Sequence, residues 1–349
     1  MTTAHADGQP AVHPRSPGRS GPVCVLGLGL IGGSLLRDLT AAGTPAFGWN
    51  RSTATVEAAS SDGFDVSGDL VATLSRAERE DALIVLGVPV PALPAMLEAV
   101  ATHAPSCGLT DVTSVKGGVL QLVEAHGLSG RFVGGHPMAG TADSGWDATL
   151  EGLFQGAVWV VTTDGAPEDG APEDADWLQI WCRVVDMAVQ VGAVVVPARA
   201  RKHDGAVARI SHLTHVLAEA LAVTADQGGA LALSLAASSF RDATRVAGTE
   251  PGLVRAMCEN NREALVTALD ETMDLLAEAR ENLADPHRDI SGLVDAGHGA
   301  RLRYEARAGR VKGGPTNRPY IQLRPGTTGW LDQLHYAESI GAQIGLLEV

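Results

Sequence analysis

The chain has 349 residues, 45% hydrophobic and 19% charged, a globular mix with room for two domains. Its formal charge of −15 leaves no basic footprint for nucleic acid or an anionic membrane, and an anionic ligand would need a local cationic pocket. Cys24, Cys107, Cys182 and Cys258 form no C-x-x-C pair, so buried thiols in a reducing compartment, the cytoplasm, are expected rather than a disulfide framework.

Residues 1–20 are polar and rich in Pro, Gly, Ser and His, without the apolar core of a signal peptide, and read as a disordered tail. No apolar run approaches the length of a bilayer span, so no membrane association is expected. Val23–Leu26 is a short apolar run ending in glycines, a buried strand, followed by a helix over Ile31–Leu39 and a strand over Ala46–Trp49. Asp81–Val88, Leu109–Val112, Phe132–Gly134 and Ala157–Val161 are further strands, separated by helices such as Ala92–Thr102 and Gly118–Ala125. The doubled GAPED at 165–174 reads as an exposed loop, and a helix near Trp177–Val191 with a strand at Val194–Val196 completes the region. Strands alternating with helices predict an α/β fold with a doubly wound parallel sheet, a Rossmann-type domain over 21–200. From 201 to 290 strand signals vanish, and Ala/Leu-rich stretches (Ala206–Thr224, Ala230–Ala237, Gly252–Asn282) predict an all-helical domain that pairs with a second copy. Residues 291–319 are basic and rich in Gly and Pro, a linker, and 320–349 read strand, helix, strand, too little for a core of its own.

Gly27-Leu28-Gly29-Leu30-Ile31-Gly32 follows a strand and opens a helix. In that context the first glycine allows the tight turn, the second lets a pyrophosphate approach and the third lets helix and strand pack closely; Leu30 and Ile31 begin the helix whose N-terminus favours phosphate. The next strand ends in Asn50-Arg51-Ser52, where an acid would accept from the ribose hydroxyls of NAD. A cation with hydroxyls suits a 2′-phosphate, so either cofactor is open and NADP is favoured.

Three further segments carry chemistry: Asp111-Val112-Thr113-Ser114-Val115-Lys116, Gly134-Gly135-His136-Pro137-Met138-Ala139-Gly140 and Phe240-Arg241-Asp242-Ala243-Thr244-Arg245-Val246-Ala247. With the glycine loop and Ser211-His212-Leu213-Thr214-His215, they resemble the prephenate/arogenate dehydrogenase family over roughly residues 22–290. The resemblance implies oxidation of a cyclohexadienol by hydride transfer to NAD(P)+ with loss of CO₂, in a cytoplasmic homodimer with no metal. It makes His136 the base, Ser114 a hydrogen-bonding partner of the imidazole or of the substrate hydroxyl, Arg245 the anchor for a substrate carboxylate and His215 a second substrate contact. A salt bridge to Asp242 would be the structural alternative for Arg245, and a metal pair with His212 that for His215. Ala142 stands where the family has Glu, and Val254 where it has Trp; both departures bear on the choice between prephenate and arogenate. Tyr320–Val349 resembles the opening half of an ACT-type module, which leaves open a remnant, a half completed by a partner chain, or a packing extension. The rivals are a β-hydroxyacid dehydrogenase, which would want a lysine in the helical domain, where Lys202 alone precedes the linker, and an inactive NAD(P) sensor.

Overall fold

A computed structural model describes residues 21–141, 143–166, 175–308 and 317–347. The expected N-terminal tail, most of the GAPED repeat, Ala142 and residues 309–316 lie outside the described residues. The first part alternates as the apolar runs dictate: β1 (Val23–Leu26), α1 (Leu30–Ala41), β2 (Ala46–Trp49), α2 (Thr53–Ser61), β3 (Val66–Ser67), α3 (Leu70–Arg79), β4 (Leu83–Leu86), α4 (Leu93–His103), β5 (Leu109–Asp111), α5 (Gly117–Ala125) and β6 (Phe132–Val133). These six strands form one parallel sheet in the order β3-β2-β1-β4-β5-β6. β1 and β4 are buried along their whole length, which is why they read as continuous apolar runs rather than alternating ones. The order reverses beside β1, and ligands of such sheets bind in the crevice beyond the carboxyl ends at that point.

A second sheet follows, of β7 (Gly135–Pro137), β8 (Val158–Thr162) and β9 (Val194–Ala198), with α6 (Ala175–Gln190) between the last two. β7 runs antiparallel to β8, with His136 opposite Val160, and β8 runs parallel to β9.

Beyond β9 come α7 (Ala200–Val207), a π-helical turn at Ala208–His212 and α8 (Leu213–Gln227). Together they make one helical rod, Ala200–Gln227, long and apolar enough by length and composition to cross a membrane, although its apolar residues are interrupted by polar ones along the sequence. His203, Asp204 and His212 are buried on this rod, the first two against the first domain, while 22% of its most apolar window is buried. α9 (Gly229–Ser234), α10 (Ser238–Thr244), α11 (Pro251–Glu259) and α12 (Arg262–Ala284) complete the expected helical region, the Gly252–Asn282 stretch being broken at Asn260–Asn261. Where a linker was expected, Ser291–Ala308 forms a further helix, α13. Its basic, glycine-containing sequence has no apolar stripe, so periodicity gave no helical signal, and its side chains remain almost wholly exposed.

The C-terminal β10 (Tyr320–Leu323), α14 (Trp330–Ile340) and β11 (Gln343–Leu346) form the expected strand-helix-strand, with the strands parallel. It borrows its core: Leu323, Trp330, Leu334, Ala337 and Ile344 are buried in one cluster with Trp159, Trp181 and Val185 of the first domain. Trp330 meets Trp181 edge to face at 5.8 Å between ring centroids.

Candidate active site

The glycine loop lies at the switch point, where Gly27 N donates to Trp49 O and Gly87 N to Leu26 O, both at 2.8 Å. Gly27 has φ +104°, and a Cβ there would stand 2.6 Å from Gly87 O. A Cβ on Gly32 would lie 1.9 Å from Gly27 O. Gly29 differs: nothing lies within 4 Å of where its Cβ would be. Two glycines thus satisfy the chain's own packing, and the third leaves space in front of the helix. No side chain caps α1 and no acid occupies its first turn, so Leu30, Ile31 and Gly32 present an electropositive helix start, and the cradle fits a dinucleotide pyrophosphate.

At the end of β2, Asn50 N donates to Ser67 O at 3.2 Å, and Arg51 is exposed with no ion pair to the described residues. Ser52 has a structural task the sequence reading missed: its Oγ accepts from Thr55 N at 3.3 Å and caps α2. Its hydroxyl proton is still free to face a phosphate.

His136 is half-buried on β7, and its Nδ1 lies 2.8 Å from His203 Nε2, the two rings edge to face. His203 Nδ1 lies in turn 2.8 Å from Asp204 Oδ1. The same carboxylate accepts from Lys116 N at 2.8 Å and Gly117 N at 2.7 Å, so Asp204 also caps the start of α5. Burial would raise the Asp204 pKa, but the bonds from His203, Gly117 and Lys116 outweigh it and hold the group below the usual carboxylate value. An ionised Asp204 accepts a hydrogen bond from His203 Nδ1–H, and in that tautomer His203 Nε2 is an acceptor. His136 must then donate from Nδ1, and its Nε2 carries the lone pair. His136 is held well below 6.5, first by burial and then by His203, Lys116 and His212, so the ring is neutral and can take a proton.

The peptide before His136 is clamped from both sides. Gly135 N donates to Asp111 Oδ1 at 3.0 Å, and Lys116 Nζ donates to Gly135 O at 2.6 Å. Lys116 is itself buried in an ion pair with Asp111. Burial pulls the Lys116 pKa down, and the Asp111 carboxylate resists it. Asn261 Nδ2 donates to Asp204 O at 2.9 Å and lies 3.1 Å from His212 Nδ1, tying α12 to the same knot.

Ser114 is half-buried and makes no hydrogen bond to His136 among the described residues; His203 holds that imidazole instead. His215 is half-buried, and its Nδ1 is enclosed without a partner among the described residues. Burial lowers its pKa, the Val246 backbone opposes this, and nearby Arg245 adds to the lowering. Arg245 is exposed, and no salt bridge to Asp242 forms. His212 is turned to Asn261 rather than paired with His215 for a metal. Val254 is half-buried on α11, and Lys202, the base a β-hydroxyacid dehydrogenase would need, is exposed. His203, Asp204 and Asn261 escaped the sequence reading, and Asp111 and Lys116 entered it only as the ends of a motif, without a role. The available signal was helical spacing: His203 and Asp204 share the buried face of Ala200, Val207 and Ala208, where polar residues demand a reason.

Residues 42–196 match the family model described as prephenate dehydrogenase, nucleotide-binding domain, and residues 199–295 that described as prephenate dehydrogenase, dimerization domain. The chain belongs to the prephenate dehydrogenase family. It is 57% identical to a candidate prephenate dehydrogenase of Corynebacterium glutamicum, whose crystal structure superposes with a TM-score of 0.89 over 94% of this chain and 99% of that one. The Synechocystis arogenate dehydrogenase is 32% identical, with a TM-score of 0.66 over 81% of this chain and 99% of that one. The prephenate dehydrogenase of Bacillus subtilis is 30% identical over 258 residues, which span 71% of this chain and 66% of that protein. Family membership supports an NAD(P)-dependent dehydrogenase acting on prephenate or arogenate and does not favour the β-hydroxyacid or sensor readings.

Proposed function

We propose that this chain oxidises and decarboxylates prephenate or arogenate at His136, with NAD(P)+ in the glycine cradle and NADP+ preferred. The observation that carries the reading is the His136–His203–Asp204 chain, whose relay from the Asp204 carboxylate would leave the lone pair on His136 Nε2. When bound, the nicotinamide supplies the hydride acceptor. His136 Nε2 takes the proton of the ring hydroxyl as the hydride departs, and the positive charge formed is shared towards His203 and the Asp204 carboxylate. Ser114, free of the imidazole, is assigned to the substrate hydroxyl. Arg245, free of Asp242, is assigned to a substrate carboxylate, a role suited to its fork of donors. His215, half-buried near Arg245, is assigned to a second substrate contact. Loss of CO₂ leaves its electron pair in the ring, which becomes aromatic.

Exposed Arg51 and the Ser52 hydroxyl would receive a 2′-phosphate, and Asn50 does not repel one. The chain is assigned to a homodimer through its helical domain, where Ile210, Leu231, Leu235 and Leu283 stand 66–72% exposed. Four free cysteines fit the cytoplasm.

The test is reduction of NADP+ and of NAD+ with each of the two substrates in turn. Turnover with one of them, faster with NADP+, is expected; no reduction with either substrate would overturn the activity, and a strong preference for NAD+ would overturn the role of Arg51.

A further inference from the structure

We infer that Glu338 of the C-terminal module is a positioning residue for the reaction: it holds Arg199, at the start of the rod that carries His203 and Asp204. The inference rests on reading His136 as the reacting base.

A helix start leaves amides without partners, and α7 has no side-chain cap from its own N-cap residue, Arg199. Two carboxylates from distant parts of the chain serve it instead. Glu338 accepts from Arg199 N at 2.7 Å, and Asp164 accepts from Ala200 N at 2.8 Å. Both also meet the positive end of the helix. Glu338 takes the Arg199 side chain as well, through Nε at 2.9 Å and through Nη2, so one carboxylate fixes both backbone and guanidinium. The Glu338 side chain is only 10% exposed, and water competes little for it. The consequence lies one turn further along. Arg199 O accepts from His203 N at 2.9 Å, and the His203 ring holds His136. Two residues therefore separate the C-terminal module from the reacting imidazole.

A mere fastening role for Glu338 is disfavoured by the core beneath it. Trp330, Leu334, Ala337, Leu323 and Ile344 already bury the module in the first domain, so the ion pair is not needed to dock it.

The test compares full-length wild type with Glu338→Ala, Glu338→Gln and Glu338→Asp. In Glu338→Ala, kcat with the wild type's own substrate is expected to fall about tenfold, as small misplacements near a reacting group do. KM for the nicotinamide cofactor should stay unchanged, and Glu338→Asp, which keeps the carboxylate, should recover part of the loss. Arg199→Ala should reproduce the fall, and the double variant should be no worse than either single one. Amide exchange at 199–204 should quicken while 330–337 stays protected. That readout needs no turnover, so a wild type inert towards both substrates would refute the catalytic reading and leave the clamp on Arg199 to be judged by exchange. Glu338→Gln carries the measurement if Glu338→Ala does not fold. Unchanged exchange at 199–204 with unchanged kcat overturns the inference, as do additive losses in the double variant. Loss of protection at 330–337 as well would make Glu338 a fastener and overturn it too.

Discussion

Along β1 and β4 every residue is buried, and Leu35, Leu36 and Leu39 of α1 close over one face of the sheet. On the rod and the helices that follow it the pattern inverts: Leu231 and Leu235 are more than two-thirds exposed, while His203, Asp204, His212 and Asn261 are buried. The first region is held by apolar burial, each enclosed leucine contributing roughly 1.5–3 kcal/mol. The second buries few leucines within one chain, and its main anchor to the first is a knot of polar groups. That knot draws Asp111, Lys116 and His136 from one side and His203, Asp204 and Asn261 from the other, so the joint between the two regions and the candidate site are one structure. Polar joints of this kind add geometric precision, but only while every member has its partner.

The largest expected effect separates chemistry from joint. His136→Asn should lower kcat by about 10²–10⁴-fold, the usual yield of a positioned base, with a loss of stability no larger than the roughly 1–3 kcal/mol of one buried group left without its partner. The check is kcat beside a urea unfolding curve, and a near-normal kcat would remove His136 from the mechanism. Lys116→Met attacks the joint. It leaves the Asp111 carboxylate buried without its cation, which costs about 3–5 kcal/mol when one partner of such a pair is removed. The unfolding midpoint should fall accordingly, and a midpoint within experimental error of wild type would show that the buried pair does not support the first domain's side of the knot.

How legible each region was follows the same division. The glycine loop, β1, β2 and the fully apolar β4 could be read because turn geometry and two-sided burial act on neighbouring residues. His136, Arg245 and His215 could be named from the motifs around them and the resemblance those carry, and their roles belong to the proposed function. His203 and Asp204 could not be, because a His-Asp pair in an Ala-rich helix becomes special only when tertiary packing sets it against His136 and the start of α5. Of the two places the resemblance left open for Ser114, the imidazole and the substrate hydroxyl, packing gives the first to His203. The helix at Ser291–Ala308 was missed because it has no buried stripe to announce it.

Arg245 belongs to the open side of the comparison. It is exposed and free of Asp242, so Arg245→Ala should leave stability within about 0.5 kcal/mol. Substrate binding should weaken by about 1.5–3 kcal/mol, the range for a hydrogen bond to a charged group, with cofactor affinity unchanged. Substrate and cofactor titrations decide it: a loss shared equally by both, or a fall in stability instead, would end its assignment as a carboxylate anchor.

The smallest effect reads the buried knot through pH. His212 is pushed down from 6.5 to about 4, first by burial, then by His203 and His215 against the opposing pull of Asp204. His136 and His215 shift the same way. With its folded pKa depressed, His212 binds a proton more readily in the unfolded chain between about pH 4 and 6.5. The stability it contributes is therefore full above 6.5 and is lost as pH falls through that window. From pH 7 to pH 5 the loss should be about 1–2 kcal/mol, by proton linkage at one such group. Asp38 and Asp164, raised by burial, work in the opposite direction from the carboxylate range upward. The slope of the wild type alone is therefore a sum, and the informative quantity is its difference from His212→Asn. That variant keeps a polar group near Asn261 but cannot titrate. Its unfolding free energy should fall less steeply between pH 7 and pH 5 than that of the wild type, and two parallel slopes would mean that His212 is not held neutral by the knot.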